Sequence, residues 1–275
     1  MFKLTKKIIN NELVPHLSTG SRGPSCKAGL WRVVRAVLKR LKTGCQWREL
    51  PVKELFGRNS MSWQSVYYHF SKWCRDGSWY RMLTALMDIN RRLLDLSSVE
   101  LDGSHTVAKR GGEAVGYQGR KKAKTTNMLF LTDRQGIPIG CSEPISGEHN
   151  DLFDIEKHTS KILSTLDDAK ISYDGLFLNA DAGFDSSRFR GFLNAKGIVD
   201  NIDNNKRRKK DPDADSYFVD DELYKERFVV ERTNAWLDGF KSIIIRYETK
   251  AQNWLALQYI ASAVILTRIK YRKIN

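Results

Sequence analysis

The hydrophobic pattern of the chain changes near residue 98, and this change limits the possible folds more than any other feature of the sequence. Before it, apolar residues recur every three or four positions, which is the period of an amphipathic α-helix. After it, short extended runs alternate with helical stretches. We therefore expect a helical domain at residues 1–98 and a domain of mixed α/β structure at residues 99–275.

Three amphipathic helices with short connections are predicted in the first part. The first stops at Gly44 and the second at Asp76-Gly77, because glycine favours the end of a helix. Ser60 or Ser62 could cap the second helix. The helices are expected at residues 25–44, from 60 or 62 to 76, and at 78–96. Their tryptophans are expected to lie in the core: Trp63, Trp73 and Trp79.

Positive charge is concentrated in the same part of the chain. The whole chain carries 46 Lys and Arg against 32 Asp and Glu, a net charge of +14. Residues 1–98 hold 18 basic and 6 acidic side chains, so +12 of this charge lies there. A compact three-helix unit of high positive charge is compatible with helix-turn-helix docking on duplex DNA. A polyanion, with DNA as the main candidate, is the expected partner of this part.

The second predicted helix carries polar residues between its apolar positions. Gln64, Tyr68 and Lys72 are among them. These side chains could face a groove of DNA and contact it, or they could face only solvent.

The second part of the chain has an order of elements that is typical of ribonuclease H-like folds. Three strands are followed by a helix, a strand, a helix, a strand and two final helices, and the first three strands read as an antiparallel meander. Strands are expected at residues 99–102, 128–132, 137–141, 176–179 and 198–202. Helices are expected at residues 152–166, 186–195, 220–240 and 251–271.

Three acids occupy positions in these elements where burying a charge costs free energy, so that such a charge is expected to have a function. Asp102 lies in the first strand, Asp181 follows the fourth, and Glu231 lies within a helix between apolar residues. Carboxylates at strand ends and on a packed helix can converge, and oxygen ligands of this kind suit Mg²⁺. Two ions roughly 3.5–4 Å apart would support in-line phosphoryl displacement.

Each acid also has a simpler structural interpretation. Asp102 with Gly103 could form an ordinary turn, and Asp181 could cap the following helix. Glu231 could pair with Arg227 one helical turn earlier. The position of all three acids in the predicted order of elements favours the metal site.

Several motifs resemble those of the D-D-E insertion-sequence transposases, most closely the insertion sequence 5 family within the IS-4-like transposase superfamily. The resemblance extends over nearly the whole chain. The third acidic block is its most specific part, with Tyr224, Arg227 and Glu231 at the spacing of the family's signature. The other matching segments are residues 41–51, 63–67, 102–105, 119–125, 147–151, 179–184, 232–237 and 246–248.

The resemblance implies a DNA transposase that binds the terminal inverted repeats of its element with the helical domain. It implies that Asp102, Asp181 and Glu231 hold two Mg²⁺ or Mn²⁺ ions, with Asp102 bridging both. Water would free a 3′-hydroxyl, which would then attack target DNA without a covalent protein intermediate. A homodimer in the complex with double-stranded DNA is implied as well. The alternatives are a nuclease with the same metal centre that does not join strands, and an inactive or domesticated transposase that only binds DNA.

Further DNA contacts are expected from basic residues near these motifs. The family places a basic residue seven positions after the glutamate, where this chain has Asp238, so Lys241 is the next candidate. The basic run at residues 206–210 could contact phosphates or form a solvated loop. The contacts expected in the second part of the chain are Arg120, Lys121, Lys122, Lys124, Arg227 and Lys241.

Other classes of site receive less support from the sequence. The four cysteines are scattered and lack the spacing of zinc sites, so free thiols are expected. His105 and His149 are expected to orient substrate, because an oxygen-preferring ion does not favour imidazole. The longest apolar run, at residues 254–269, is interrupted by polar side chains and is expected to be a buried helix. Neither a membrane nor a small-molecule substrate is an expected partner, and the expected location is the bacterial cytoplasm.

Overall fold

The computed structural model of the chain describes residues 4–19, 28–57, 61–205 and 217–273. The expected start of the first long helix at Ser25 and the basic run at residues 206–210 lie outside these ranges. In chain order the α-helices are α1 Lys6–Ile8, α2 Leu30–Thr43, α3 Val52–Phe56, α4 Trp63–Arg75, α5 Ser78–Asn90, α6 Ile155–Asp168, α7 Ser187–Ala195, α8 Asp221–Lys225, α9 Val229–Leu237, α10 Lys241–Ile244 and α11 Ala251–Lys273. The strands are β1 Val99–Ala108, β2 Gly116–Gln118, β3 Ala123–Asp133, β4 Pro138–Cys141, β5 Ile145–Ser146, β6 Phe177–Ala180, β7 Val199–Ile202 and β8 Ile245–Arg246.

The chain divides into two compact units that interleave along the sequence. The first unit comprises Met1–Ile89, Lys109–Glu113 and Trp236–Asn275, and the second comprises Asn90–Ala108 and Ala114–Ala235. The helix α11 belongs to the first unit, where it packs against α4 and α2. The predicted domains are two successive stretches, and their boundary after residue 98 stays a prediction.

The long helices of the first unit begin and end near the predicted positions. Helix α2 ends before Gly44, which adopts the left-handed conformation at φ +69° and donates its N–H to the Arg40 carbonyl. Ser62 caps α4, because its Oγ accepts a hydrogen bond from the Ser65 N–H at 3.2 Å. Helix α5 ends at Asn90, six residues before the predicted end, and is followed by a 3₁₀ turn at Arg91–Leu93.

The aromatic core of this unit differs in one residue from the prediction. Trp73 and Trp79 are fully buried and meet edge to face with ring centroids 5.1 Å apart, as predicted. Trp63 was predicted in the core, but it is partly exposed because it is the first residue of α4.

The second unit contains a mixed sheet with strand order β2-β3-β1-β6-β7. Strands β2, β4 and β5 pair with β3, and β1 pairs with β3, all antiparallel, whereas β1, β6 and β7 run parallel. The predicted ribonuclease H-like α/β class and its antiparallel first strands are therefore confirmed. The short strands β2 and β5 were not predicted, because two or three residues carry no readable period.

The prediction of one continuous helix at residues 220–240 is wrong. It is divided into α8 and α9 by a 3₁₀ turn at Glu226–Phe228. Asp220 caps α8 by accepting hydrogen bonds from the Glu222 and Leu223 N–H groups. Ser98 and Arg134 hold the Glu226 carboxylate and so fix the intervening turn.

Two further predictions concern cysteines and hydropathy. Cys45, Cys74 and Cys141 are free thiols, as predicted, and Cys26 lies outside the described ranges. In the described part of the chain, no helix combines the length and the apolar character needed to cross a membrane.

Candidate active site

Two of the three predicted acids lie side by side at the carboxyl end of the parallel strands. In the register of β1 with β6, Leu101 pairs with Ala180. Asp102 and Asp181 each follow this pair by one residue, so the sheet brings them to the same level. Both line a cavity of about 190 Å³ in the second unit. Asp102 is thus part of a strand, and the alternative of an ordinary turn is wrong.

Glu231 reaches the same cavity from the helix α9. This helix is tied to the turn between β3 and β4, where Thr233 Oγ1 donates to the Gly136 carbonyl at 2.7 Å and Arg232 Nη1 donates to the Gln135 carbonyl at 3.1 Å. Gly136 has φ +85°, a conformation that favours glycine. The structure therefore brings Asp102, Asp181 and Glu231 together, although 129 residues separate the first from the last.

The simpler interpretations were that Asp181 caps the following helix and that Glu231 pairs with Arg227. Asp181 is also a cap, because its Oδ1 accepts a hydrogen bond from the Gly183 N–H at 2.7 Å. Arg227 lines the cavity beside Glu231, and its guanidinium carbon lies 5.1 Å from the ring centroid of Tyr224 and 4.9 Å from that of Phe228. This stacking holds a positive charge at the edge of an acidic cavity.

The charge state of Asp102 responds to the other acids. The pKa of Asp102 is raised to about 6, mainly by burial and also by the charges of Asp181, Asp151 and Glu231, while a backbone hydrogen bond from Gly103 lowers it. A divalent cation would relieve this repulsion, and a set of carboxylate oxygens suits Mg²⁺ or Mn²⁺. Within the described ranges, no three His, Cys, Asp or Glu side chains are grouped closely enough to hold one ion. The carboxylates therefore fit the metal in their chemistry and line one cavity, but they are not spaced in this structure to hold an ion.

Glu100 is a fourth acid in the cavity and was not predicted. It is 1% exposed, and burial raises its pKa to about 7. Its Oε1 accepts a hydrogen bond from Asn179 Nδ2 at 2.8 Å, and Asn179 Oδ1 accepts one from Asn201 Nδ2 at 2.7 Å. This polar ladder crosses β1, β6 and β7 beside the acids. The signal was present in the sequence, because Glu100 lies two residues before Asp102 and therefore on the same face of the strand.

Asp151 is a fifth acid that acts on the site from a neighbouring segment. A Cβ on Gly103 would lie 2.2 Å from Asp151 Oδ1, so only glycine fits beside this carboxylate. Asn127 Nδ2 holds the same oxygen at 2.7 Å. The motif at residues 147–151 therefore lies next to Asp102, a position that its residue types alone did not predict.

The two histidines singled out in the sequence are absent from the residues that line the cavity. His105 Nδ1 lies 3.1 Å from Thr125 Oγ1, and burial lowers the pKa of the ring. His149 stacks on Phe153 with ring centroids 3.5 Å apart.

The predicted DNA contacts are distributed over both units and, apart from Arg227, lie outside the residues that line the acidic cavity. In the second unit, Arg120, Lys121, Lys122 and Lys124 are exposed around the turn between β2 and β3, where Lys121 Nζ donates to the His105 carbonyl at 2.8 Å. In the first unit, Lys241 is exposed at the start of α10. On α4, Gln64 and Tyr68 are exposed and Lys72 is partly exposed. Their role as DNA contacts stays a prediction.

The chain is similar to known proteins over both of its parts. The family model described as "Transposase DDE domain" matches residues 87–266, and the model described as "Putative transposase of IS4/5 family" matches residues 9–83. A putative transposase for insertion sequence element IS402 of Burkholderia cepacia is 42% identical over 72 residues, which cover 26% of this chain and 29% of that relative. The chain therefore matches less than a third of that relative's length.

Among solved structures, a piggyBac transposase synaptic complex with hairpin DNA is similar in fold. Its TM-score is 0.54 at 10% identity, and the similarity covers 96% of this chain and 73% of that chain. At this identity the likeness concerns the fold alone. Because the DDE model covers well over half of the chain, the chain belongs to the DDE transposases, and its N-terminal part matches the model of the IS4/5 transposases.

Proposed function

We propose that this chain is a DNA transposase that binds the terminal inverted repeats of its insertion sequence and catalyses strand cleavage and strand transfer. The observation that carries the proposal is that Asp102, Asp181 and Glu231 line one cavity. Membership of the DDE transposases supports a polynucleotidyl transferase. The inverted repeats, both chemical steps and a homodimer in the DNA complex belong to the proposal.

In the proposed mechanism, Asp102, Asp181 and Glu231 hold two Mg²⁺ or Mn²⁺ ions. When bound, such ions lower the pKa of a nucleophilic hydroxyl and stabilise the charge that develops on the leaving oxygen. Arg227, fixed on its two aromatic neighbours, offers a guanidinium to a phosphate oxygen of the strand. The ladder from Glu100 through Asn179 to Asn201 holds the parallel strands together, and so keeps Asp102 level with Asp181.

The central test replaces each acid by its uncharged isostere. Asp102→Asn, Asp181→Asn and Glu231→Gln should lower the rate of strand cleavage by about a thousandfold, because several kcal/mol of transition-state stabilisation are lost. Binding to duplex DNA that carries the element ends should persist. Cleavage by the unsubstituted chain should also stop on addition of a chelator and return with Mg²⁺ or Mn²⁺.

A matched control is Glu143→Gln, which removes an exposed carboxylate of the same unit and should leave cleavage unchanged. Cleavage at the wild-type rate by any of the three variants would remove that residue from the proposed site.

Strand transfer requires a separate experiment. A duplex with a pre-cut 3′ end should be joined to a second duplex in the presence of Mg²⁺ if the chain is a transposase. Cleavage without joining would favour a nuclease, and binding without either reaction would favour an inactive or domesticated copy.

A further inference from the structure

A second cavity, of about 470 Å³, lies in the first unit and shares no lining residue with the acidic cavity. Two segments that matched the family, residues 41–51 and 246–248, meet in its wall, and the proposed chemistry gives neither of them a role. The lining residues that matter are Arg40, Trp47, Arg48, Trp63, Arg110 and Tyr247. The volume lies within the range of about 300–1,000 Å³ that is usual for pockets that bind small ligands.

The back of this cavity is held by buried polar contacts. Arg40 is 5% exposed, and its Nη2 donates to Glu248 Oε1 at 2.8 Å. Trp47 Nε1 donates to the same oxygen at 3.2 Å, and the Arg40 guanidinium lies 5.0 Å from the Trp47 ring centroid. Trp47 also packs edge to face on Tyr67 at 5.2 Å. These contacts fix one aromatic wall before any ligand arrives.

The cavity carries more positive charge than its own acid balances. Glu248, the acid in the wall, already pairs with Arg40. Arg40 Nε and Nη1 are buried and have no acceptor among the described residues. Arg48 and Arg110 are exposed and add two further positive charges. An anionic ligand with hydrogen-bond acceptors would complement this set.

Aromatic surface reaches solvent at the same place. Tyr247 is 50% exposed, and Trp63 is partly exposed at the start of α4. Planar rings next to arginines form the surface on which unpaired bases stack, because every base has a π-face and an adjoining phosphate. An acidic peptide would use the arginines but would gain less from the rings.

We propose that this cavity binds one unpaired nucleotide of a DNA strand, with its base against the aromatic residues and its phosphate held by Arg48 and Arg110. The inference rests on the proposed function, since it assumes that the chain acts on DNA. It adds to that function a preference for DNA with an unpaired nucleotide over a fully paired duplex.

The experiment compares two DNA molecules on the full chain. One is a blunt duplex, and the other is the same duplex with a short single-stranded thymidine extension. The unsubstituted chain should bind the extended duplex about five- to a hundredfold more tightly, as expected for the stacking of one base. Tyr247→Leu should reduce this ratio to near one while leaving the affinity for the blunt duplex unchanged. Arg48→Gln should reduce the ratio as well, and it should also weaken binding to both DNA molecules, because it removes a positive charge.

Tyr247→Phe is the matched control, because it keeps the ring and should keep the preference. Equal affinity of the unsubstituted chain for the two DNA molecules would overturn the inference, as would a preference that survives Tyr247→Leu. Displacement of the extended duplex by a poly-glutamate peptide as readily as by oligothymidine would also overturn it, in favour of an acidic peptide. The metal-dependent cleavage of duplex DNA would stand in each of these cases, so the two proposals fail separately.

Discussion

Single residues set the charge balance of the acidic cavity, and Glu100 is the clearest example. Its Oε1 is hydrogen-bonded to Asn179, whereas its Oε2 is buried without a partner among the described residues. A carboxylate in this position loses hydration that no partner fully replaces. Burial therefore raises the pKa of Glu100 from 4.5 to about 7.

This shift predicts a stability that depends on pH. Because the folded chain holds the Glu100 proton more tightly than the unfolded chain does, the stabilising contribution is complete below pH 4.5 and is lost as the pH rises to about 7. Glu100→Gln cannot ionise and keeps an oxygen for Asn179. It should raise the free energy of unfolding at pH 8 by up to about 3 kcal/mol and leave it nearly unchanged at pH 4.

Urea unfolding of both chains at the two pH values, in a chelating buffer, measures this difference. The exposed control Glu143→Gln should show none. An equal change at pH 4 and pH 8 would show that packing, and not ionisation, governs the position.

At the scale of elements, α9 depends on the turn between β3 and β4 for its position. Thr233 is fully buried, and its hydroxyl donates to the Gly136 carbonyl. Glu231 lies two residues earlier on the same helix, so the hydrogen bond fixes the element that carries the acid. A helix held at Thr233 presents Glu231 to the cavity, although the hydrogen bond does not involve Glu231 itself.

The corresponding prediction concerns Thr233→Val, which keeps the shape and removes the hydroxyl. The buried Gly136 carbonyl would lose its donor, so the free energy of unfolding should fall by about 1–3 kcal/mol. The rate of cleavage should fall as well, while duplex binding stays unchanged.

Thr159 provides a matched control within the second unit. It is 2% exposed, and its Oγ1 is buried without a partner among the described residues. Thr159→Val should therefore be neutral or stabilising. A similar loss of stability in both variants would contradict the role given to the Thr233 hydrogen bond.

For the whole molecule, the proposed binding to DNA would depend on net charge. A chain of charge +14 would displace condensed counterions from the DNA backbone, so its affinity for DNA should fall steeply with salt. The basic residues of both units can contribute, because this interaction needs no particular base sequence.

The salt dependence offers a test of the predicted contacts. Arg120→Gln and Lys124→Gln should each reduce the slope of log affinity against log salt concentration by about one, because each removes one phosphate contact. Lys196→Gln removes an exposed charge that is not among the predicted contacts and should leave the slope unchanged. Titration of a duplex at several salt concentrations measures the slope, and a slope that does not change would remove the residue from the interface.

Local sequence was enough to predict the long helices of the first part, the order of the longer strands and helices in the second, and three acids that line one cavity. These features depend on local periodicity and on residue type, which each segment carries alone. Short strands, the break between α8 and α9 and the exposure of Trp63 were missed, since they depend on partners outside the segment.

Which of these residues lie together depends on long-range contacts that form only in the folded chain. The register of β1 with β6 pairs residues that are 79 positions apart and so places Asp102 level with Asp181, and the bond from Thr233 to Gly136 spans 97 residues. The pairing of Arg40 with Glu248 spans 208 residues. Hydrogen-bond register and burial select such pairs from many that the same local patterns allow. For this reason the polar ladder of Glu100, Asn179 and Asn201 and the cavity beside Arg40 and Trp47 became visible only in the folded chain.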